Sequence, residues 1–143
     1  GVYYLPRLSE ISERKELRKE ILSGYKVILP IVSILSFSIY TFRDFIISML
    51  FTSDFAEMSN LFAWQMAGDT IKISSWLLGY VCTAKALIKI YISSEIIFLA
   101  SFYFFVILLS DRFGLESTVM AHFINYILHF LFLFYSLRRA HVI

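Results

Sequence analysis

The sequence predicts an all-α membrane protein of about four transmembrane helices, and two observations predict it. Hydrophobic residues make up 59% of the 143 residues, where about 45–50% is usual for a soluble domain. Charged residues bound four apolar stretches, each near the length of about 20 residues that an α-helix needs to cross a hydrocarbon core of roughly 30 Å. A chain of this length holds four or five such crossings and no separate soluble domain.

Residues 1–23 read as a cytoplasmic amphipathic linker. Between Arg7 and Glu20 the charges are dense and mixed, and Glu10 and Arg14, four apart, are spaced to pair on one helical face. Leu8, Ile11, Leu17, Ile21 and Leu22 supply a partial apolar stripe, which suits either a helix lying along the membrane surface or a solvated helical linker. The chain opens at Gly1 without the basic and apolar regions of a signal peptide, and it reads as a stretch of a longer protein.

The first span runs from Gly24 to Phe42. Lys26 can snorkel to the headgroups, and Pro30 predicts a kink or a missing hydrogen bond. From Arg43 to Thr52, Phe45 with Met49 and Ile46 with Leu50 repeat at helical spacing, predicting a short interfacial extension. Thr52 to Asn60, with Asp54, Glu57 and Ser59, reads as a loop.

The second span, Met58 to Ala84, is interrupted by Asp69 and Lys72. The third, Ile90 to Ser110, is rich in Phe and Tyr and carries Glu95 about one turn inside, near the interface, where water or Lys89 can satisfy it. The fourth, Ser117 to Leu137, has no formal charge.

Orientation follows from the bias of Lys and Arg toward cytoplasmic loops. With an even number of crossings, the termini and the Lys85 to Lys89 turn share one side. That side holds Arg7, Arg14, Lys15, Arg18, Lys19, Lys26, Lys85, Lys89, Arg138 and Arg139, ten basic residues against Arg43 and Arg112 on the other. The C-terminus is therefore expected in the cytoplasm, and Asp44, Asp54, Glu57, Asp111 and Glu116 on the opposite side.

The residues most able to carry chemistry are Gln65, Asp69, Lys72 and Trp76. Spacings of four, three and four place them on one face of the second helix. A charge at a helix centre costs about 2.5–3.5 kcal/mol on insertion scales, so such residues face a bundle interior or a wet cavity. One reading is an Asp69–Lys72 pair that neutralises itself and helps the helix pack. The other is a hydrophilic cavity in which Lys72 attracts an anionic group and Asp69 sets its position.

His122, Asn125 and His129 fall three and four apart on the fourth helix, beside Tyr126. Histidines at this spacing suit interhelical hydrogen bonds. A proton relay or a metal site needs nearby carboxylates, and this helix supplies none.

Several function classes are excluded. The basic residues do not form a patch with interleaved aromatics, so nucleic acid is no partner. Cys82 stands alone and permits neither an internal disulfide nor a cysteine metal site; its ordinary role is a small apolar core residue. No Gly-rich phosphate loop, His-Glu-x-x-His or nucleophile elbow occurs. No catalytic residue, metal or cofactor is expected.

Two stretches carry a family resemblance: Tyr4-Leu5-Pro6-Arg7-Leu8-Ser9-Glu10, and Leu61-Phe62-Ala63-Trp64-Gln65-Met66-Ala67-Gly68-Asp69-Thr70-Ile71-Lys72. With Gly79-Tyr80, Ala84-Lys85-Ala86 and Tyr91-Ile92, they resemble the Wzx-type flippases. These are the O-antigen and lipid III (enterobacterial common antigen) flippases of the multidrug/oligosaccharidyl-lipid/polysaccharide exporter superfamily. The resemblance runs in register through nearly the whole chain. It implies the last third of a transporter of about twelve helices in two lobes, in the bacterial inner membrane. That transporter would pass an undecaprenyl-pyrophosphate-linked oligosaccharide between leaflets by alternating access. Membrane lipids, a polysaccharide polymerase and a chain-length regulator are the partners it implies. Asp69 and Lys72 carry over as a candidate cavity face; no family-wide catalytic motif matches.

Two alternatives stand beside this. A drug or cation antiporter of the same superfamily would need a coupling carboxylate and a more apolar cavity. A membrane-embedded polyprenyl-sugar transferase or polymerase would need carboxylates, histidines or arginines clustered at one interface.

Overall fold

A computed structural model describes residues 4–51 and 58–143, and among these every regular element is helical. The order is α1 (Tyr4–Glu10), α2 (Arg14–Thr41), α3 (Arg43–Leu50), α4 (Leu61–Ala84), α5 (Ile88–Phe113) and α6 (Glu116–Arg139). Asp54 and Glu57, expected in the loop from Thr52 to Asn60, lie outside the described residues. Met58 to Asn60 form a short 3-10 turn that leads into α4.

Three helices, α2, α5 and α6, are long and apolar enough to cross a membrane. α4 is as long as α6, 24 residues or about 36 Å at ~1.5 Å per residue, but its polar stripe lowers its hydropathy. It compensates by position. α4 lies in the middle of the bundle, packed against α2 on one side and α6 on the other, and α6 in turn packs on α5. A helix carrying Asp69 and Lys72 thus lies between α2, which is uncharged after Lys26, and α6, which is uncharged from Ser117 to Leu137.

The apolar surfaces divide accordingly. α2 and α5 leave nearly all of theirs uncovered, with Ile31, Ile34 and Phe37 on α2 and Ile96, Leu99 and Tyr103 on α5 exposed, while α6 is the most buried span. Exposed apolar faces of this length match a lipid surface.

α2 begins at Arg14 and runs through Pro30 without a break in secondary structure. Pro30 has no N–H to give the carbonyl of Lys26. The apolar stripe expected on the membrane surface turns inward instead. Leu8, Ile11, Leu17 and Ile21 are buried in one core with Leu78, Val81, Cys82, Leu133, Leu137 and Ile143, and only Leu22 stays out. The pairing expected at Glu10 is also redirected: Arg14 donates to the Ile143 carbonyl, and it is Arg7 that meets an acid, Glu20, at 4.0 Å.

These contacts gather one end of the bundle. Lys85, in the turn between α4 and α5, donates to the backbone carbonyl of Ile11. The start of α2, the α4–α5 turn and the end of α6 therefore lie together. Both helices that finish here close with a Schellman-type turn. After α4, the Leu87 amide bonds the Cys82 carbonyl (2.8 Å) across a left-handed Ala86 (φ 52°); after α6, Val142 bonds Leu137 (3.0 Å) across His141 (φ 55°). At the other end Gly114, also at φ 52°, ends α5, a conformation that glycine adopts without cost.

Candidate functional site

The polar stripe of α4 meets α6 at Asp69. The Gln65 amide donates to Asp69 Oδ2 at 3.0 Å from one turn before. Across the helix interface, His122 Nε2 lies 3.2 Å from Asp69 Oδ1. Lys72 Nζ, on the same helix, is 4.0 Å from that oxygen. The carboxylate is thus held mainly by Gln65 and His122.

Lys72 finds its company elsewhere. Its ammonium lies 5.2 Å from the centre of the Trp76 ring and 5.6 Å from that of Tyr126. Aromatic faces attract a cation at such distances, by about 0.5–2 kcal/mol depending on desolvation. Lys72 and Asp69 keep 29% and 32% of their side-chain surface exposed. The site is therefore a partly open cleft in which the positive charge is displayed more than it is neutralised.

Gly68 makes this junction possible. A Cβ at position 68 would come within 2.5 Å of His122 Cδ2, so no larger residue lets α6 bring its imidazole beside Asp69. The neighbouring turns are tied as well. Ser75 Oγ donates to the Tyr126 carbonyl at 3.4 Å, and α2 is joined to α4 by Tyr25 Oη donating to the Ser74 carbonyl (2.7 Å) and by Ser36 with Thr70 (3.2 Å).

The residues singled out from the sequence lie on α4, α5 and α6, and they do different things. Gln65, Asp69, Lys72 and Trp76 form a connected row. His122 joins that row, and Asp69 is the carboxylate partner that its own helix lacks. Asn125 is fully buried between α6 and α5, where its amide donates to the Phe98 carbonyl (3.0 Å) and its oxygen accepts from Ser101; it is an interhelical tie. Among the described residues His129 makes no interhelical hydrogen bond: both ring nitrogens are buried without a partner there. Glu95 and His129 both line a cavity between α4, α5 and α6. Among the described residues, no three of the His, Cys, Asp and Glu side chains gather as a metal site would require.

The residues missed in the sequence are Gly68, Tyr126 as the second ring beside Lys72, and Ser75. Gly68 left a signal, since small residues in membrane helices mark close approach.

Two curated proteins are similar to this chain. The lipid III flippase of Escherichia coli (strain K12) is 34% identical over 130 residues, covering 91% of this chain and 31% of that protein. The lipid III flippase of Shigella flexneri matches to the same extent. The chain spans about a third of the length of these relatives. No family model matches it, and no solved structure does.

Proposed function

We propose that this chain is part of a flippase that moves a lipid-linked oligosaccharide across the bacterial inner membrane, with the cleft at Lys72 as part of its substrate path. The observation that carries this reading is a cation displayed in front of two aromatic rings, on a helix packed between two others, in a chain similar over 91% of its length to flippases. A polyprenyl pyrophosphate needs such a group. Its anion must leave water to cross the bilayer, and a preplaced ammonium offsets part of that desolvation.

The division of labour follows from the distances. Asp69, occupied by Gln65 and His122, fixes the rotamer of the α4 stripe and stands within reach of Lys72 when no anion is bound. Trp76 and Tyr126 hold the ammonium without cancelling its charge. The reaction is translocation, with no bond made or broken, so no catalytic group is required.

On this reading the chain supplies helices of the C-terminal lobe of a twelve-helix exporter, and its basic end, including the C-terminus, is cytoplasmic. An O-antigen or enterobacterial common antigen unit is the cargo, and the polymerase and chain-length regulator of polysaccharide assembly act on it next.

The test is reconstitution. The full-length protein in proteoliposomes, given a fluorescent polyprenyl-pyrophosphate-linked sugar, exposes the label to an impermeant quencher on the opposite face faster than empty vesicles do. Equal rates with and without protein would contradict the proposal.

A further inference from the structure

The cavity between α4, α5 and α6 lies next to Lys72 on the side of the basic end. Its volume is about 240 Å³, and Ser75, Trp76, Tyr91, Glu95, His129 and Leu133 are among its walls. His129 is only 8% exposed, and among the described residues neither ring nitrogen has a hydrogen-bond partner. A buried polar group left unsatisfied costs about 1–3 kcal/mol. A neutral imidazole presents one donor and one acceptor, so this wall calls for an occupant that offers both.

The other walls narrow the choice. Glu95 and His129 are two potential metal ligands, fewer than the three or four of a zinc site. A single water needs only about 10–15 Å³ of such cavity space, a small fraction of what is present. Drug-sized ligands use sites of roughly 300–1,000 Å³, somewhat more than is present. A single pyranose ring fits between these limits. Its hydroxyls both donate and accept, matching His129 and Glu95, and its apolar C–H face suits the rings of Trp76 and Tyr91.

Trp76 belongs to both places: it lines the cavity, and its ring carries the Lys72 ammonium at 5.2 Å. A ligand with a phosphate at Lys72 and the next group in the cavity is a glycosyl pyrophosphate. We infer that the cavity at His129 and Glu95 is a subsite for the sugar ring attached directly to the pyrophosphate. This inference rests on the flippase reading and makes it more specific: the sugar distal to this ring is left outside the subsite.

The experiment uses the purified full-length protein in detergent and three probes: citronellyl pyrophosphate, and the same lipid carrying one N-acetylglucosamine or one glucose. Affinities are read by tryptophan fluorescence. For the wild type, at least one single-sugar probe should bind roughly 10-fold more tightly than the bare pyrophosphate, since a further ~1.4 kcal/mol is tenfold. That ratio should fall toward one in Glu95→Gln and His129→Phe.

Gly79→Leu gives a second route. A Cβ there would lie 3.9 Å from the Tyr91 ring, an ordinary contact, and Gly79 lines the cavity, so the added side chain takes up its space and the ratio should fall again. A ratio of one in the wild type, or one that survives all three substitutions, would overturn the subsite. Failure of the wild type to bind any pyrophosphate probe would instead remove the flippase reading, and the subsite with it.

Discussion

Asp69 has three neighbours, and their distances rank them. Gln65 and His122 are within hydrogen-bond reach, whereas Lys72 stands at 4.0 Å and faces Trp76 and Tyr126. On the proposed function the substrate's anion sits at Lys72 and Asp69 has a positioning role. Lys72→Ala should weaken binding of citronellyl pyrophosphate roughly 10- to 100-fold, the equivalent of losing a charge-assisted hydrogen bond of about 1.5–3 kcal/mol. Lys72→Arg should retain part of that affinity. Titration of the two variants against wild type checks both statements. The α4 row was legible in the sequence because spacings of four, three and four define one face. His122 as the partner of Asp69 was not, since a contact between residues 53 apart depends on how two helices pack.

At the scale of the helix pair, the contact between α4 and α6 rests on Gly68. Gly68→Ala puts a methyl group 2.5 Å from the His122 ring, and overpacking of this kind costs about 1–3 kcal/mol. Thermal unfolding of the detergent-solubilised protein should therefore shift to lower temperature. Adding His122→Ala removes the obstructing ring, so the double variant should lose less than the sum of the single losses. Additive losses would mean that the two residues do not meet.

The turn after α4 offers the opposite sign. Ala86 is held in the left-handed region (φ 52°), where an L-residue pays about 1–2 kcal/mol. Ala86→Gly should raise the unfolding temperature slightly or leave it level, the greater chain entropy of glycine subtracting from the relief. A clear fall would contradict the strain.

The same scale shows where sequence patterns misled. The stripe of Leu8, Ile11, Leu17 and Ile21 has the periodicity of a surface-seeking helix, but periodicity does not distinguish a lipid interface from a protein one. The structure uses it to seal the bundle end, because Leu78, Leu133 and Leu137 arrive there from distant parts of the chain. The helices themselves were legible from apolar runs bounded by charge; α4, whose polar stripe interrupts its apolar run, is as long as α6.

For the molecule as a whole, the start of α2, the α4–α5 turn and the end of α6 share one end. The basic residues cluster at that end, so on the proposed orientation it faces the cytoplasm. Cysteines introduced one at a time at Lys89, Arg139 and Arg112 should divide accordingly. An impermeant maleimide added to spheroplasts should label Arg112→Cys alone, and the other two should react only after the membrane is opened. The reverse pattern would invert the orientation. The cavity at His129 belongs to this scale too, since it exists only where three helices diverge. No single stretch of sequence announces it.

On the proposed function Lys72 serves the passage of a lipid-linked oligosaccharide. The most direct test deletes the full-length gene, restores it as wild type or as Lys72→Ala at matched expression, and measures surface polysaccharide together with lipid-linked units held in the cytoplasmic leaflet. The account predicts loss of surface polymer with accumulated intermediates in the deletion, recovery with wild type, and failure to recover with Lys72→Ala. Normal surface polymer with no trapped intermediate in the Lys72→Ala strain would contradict it.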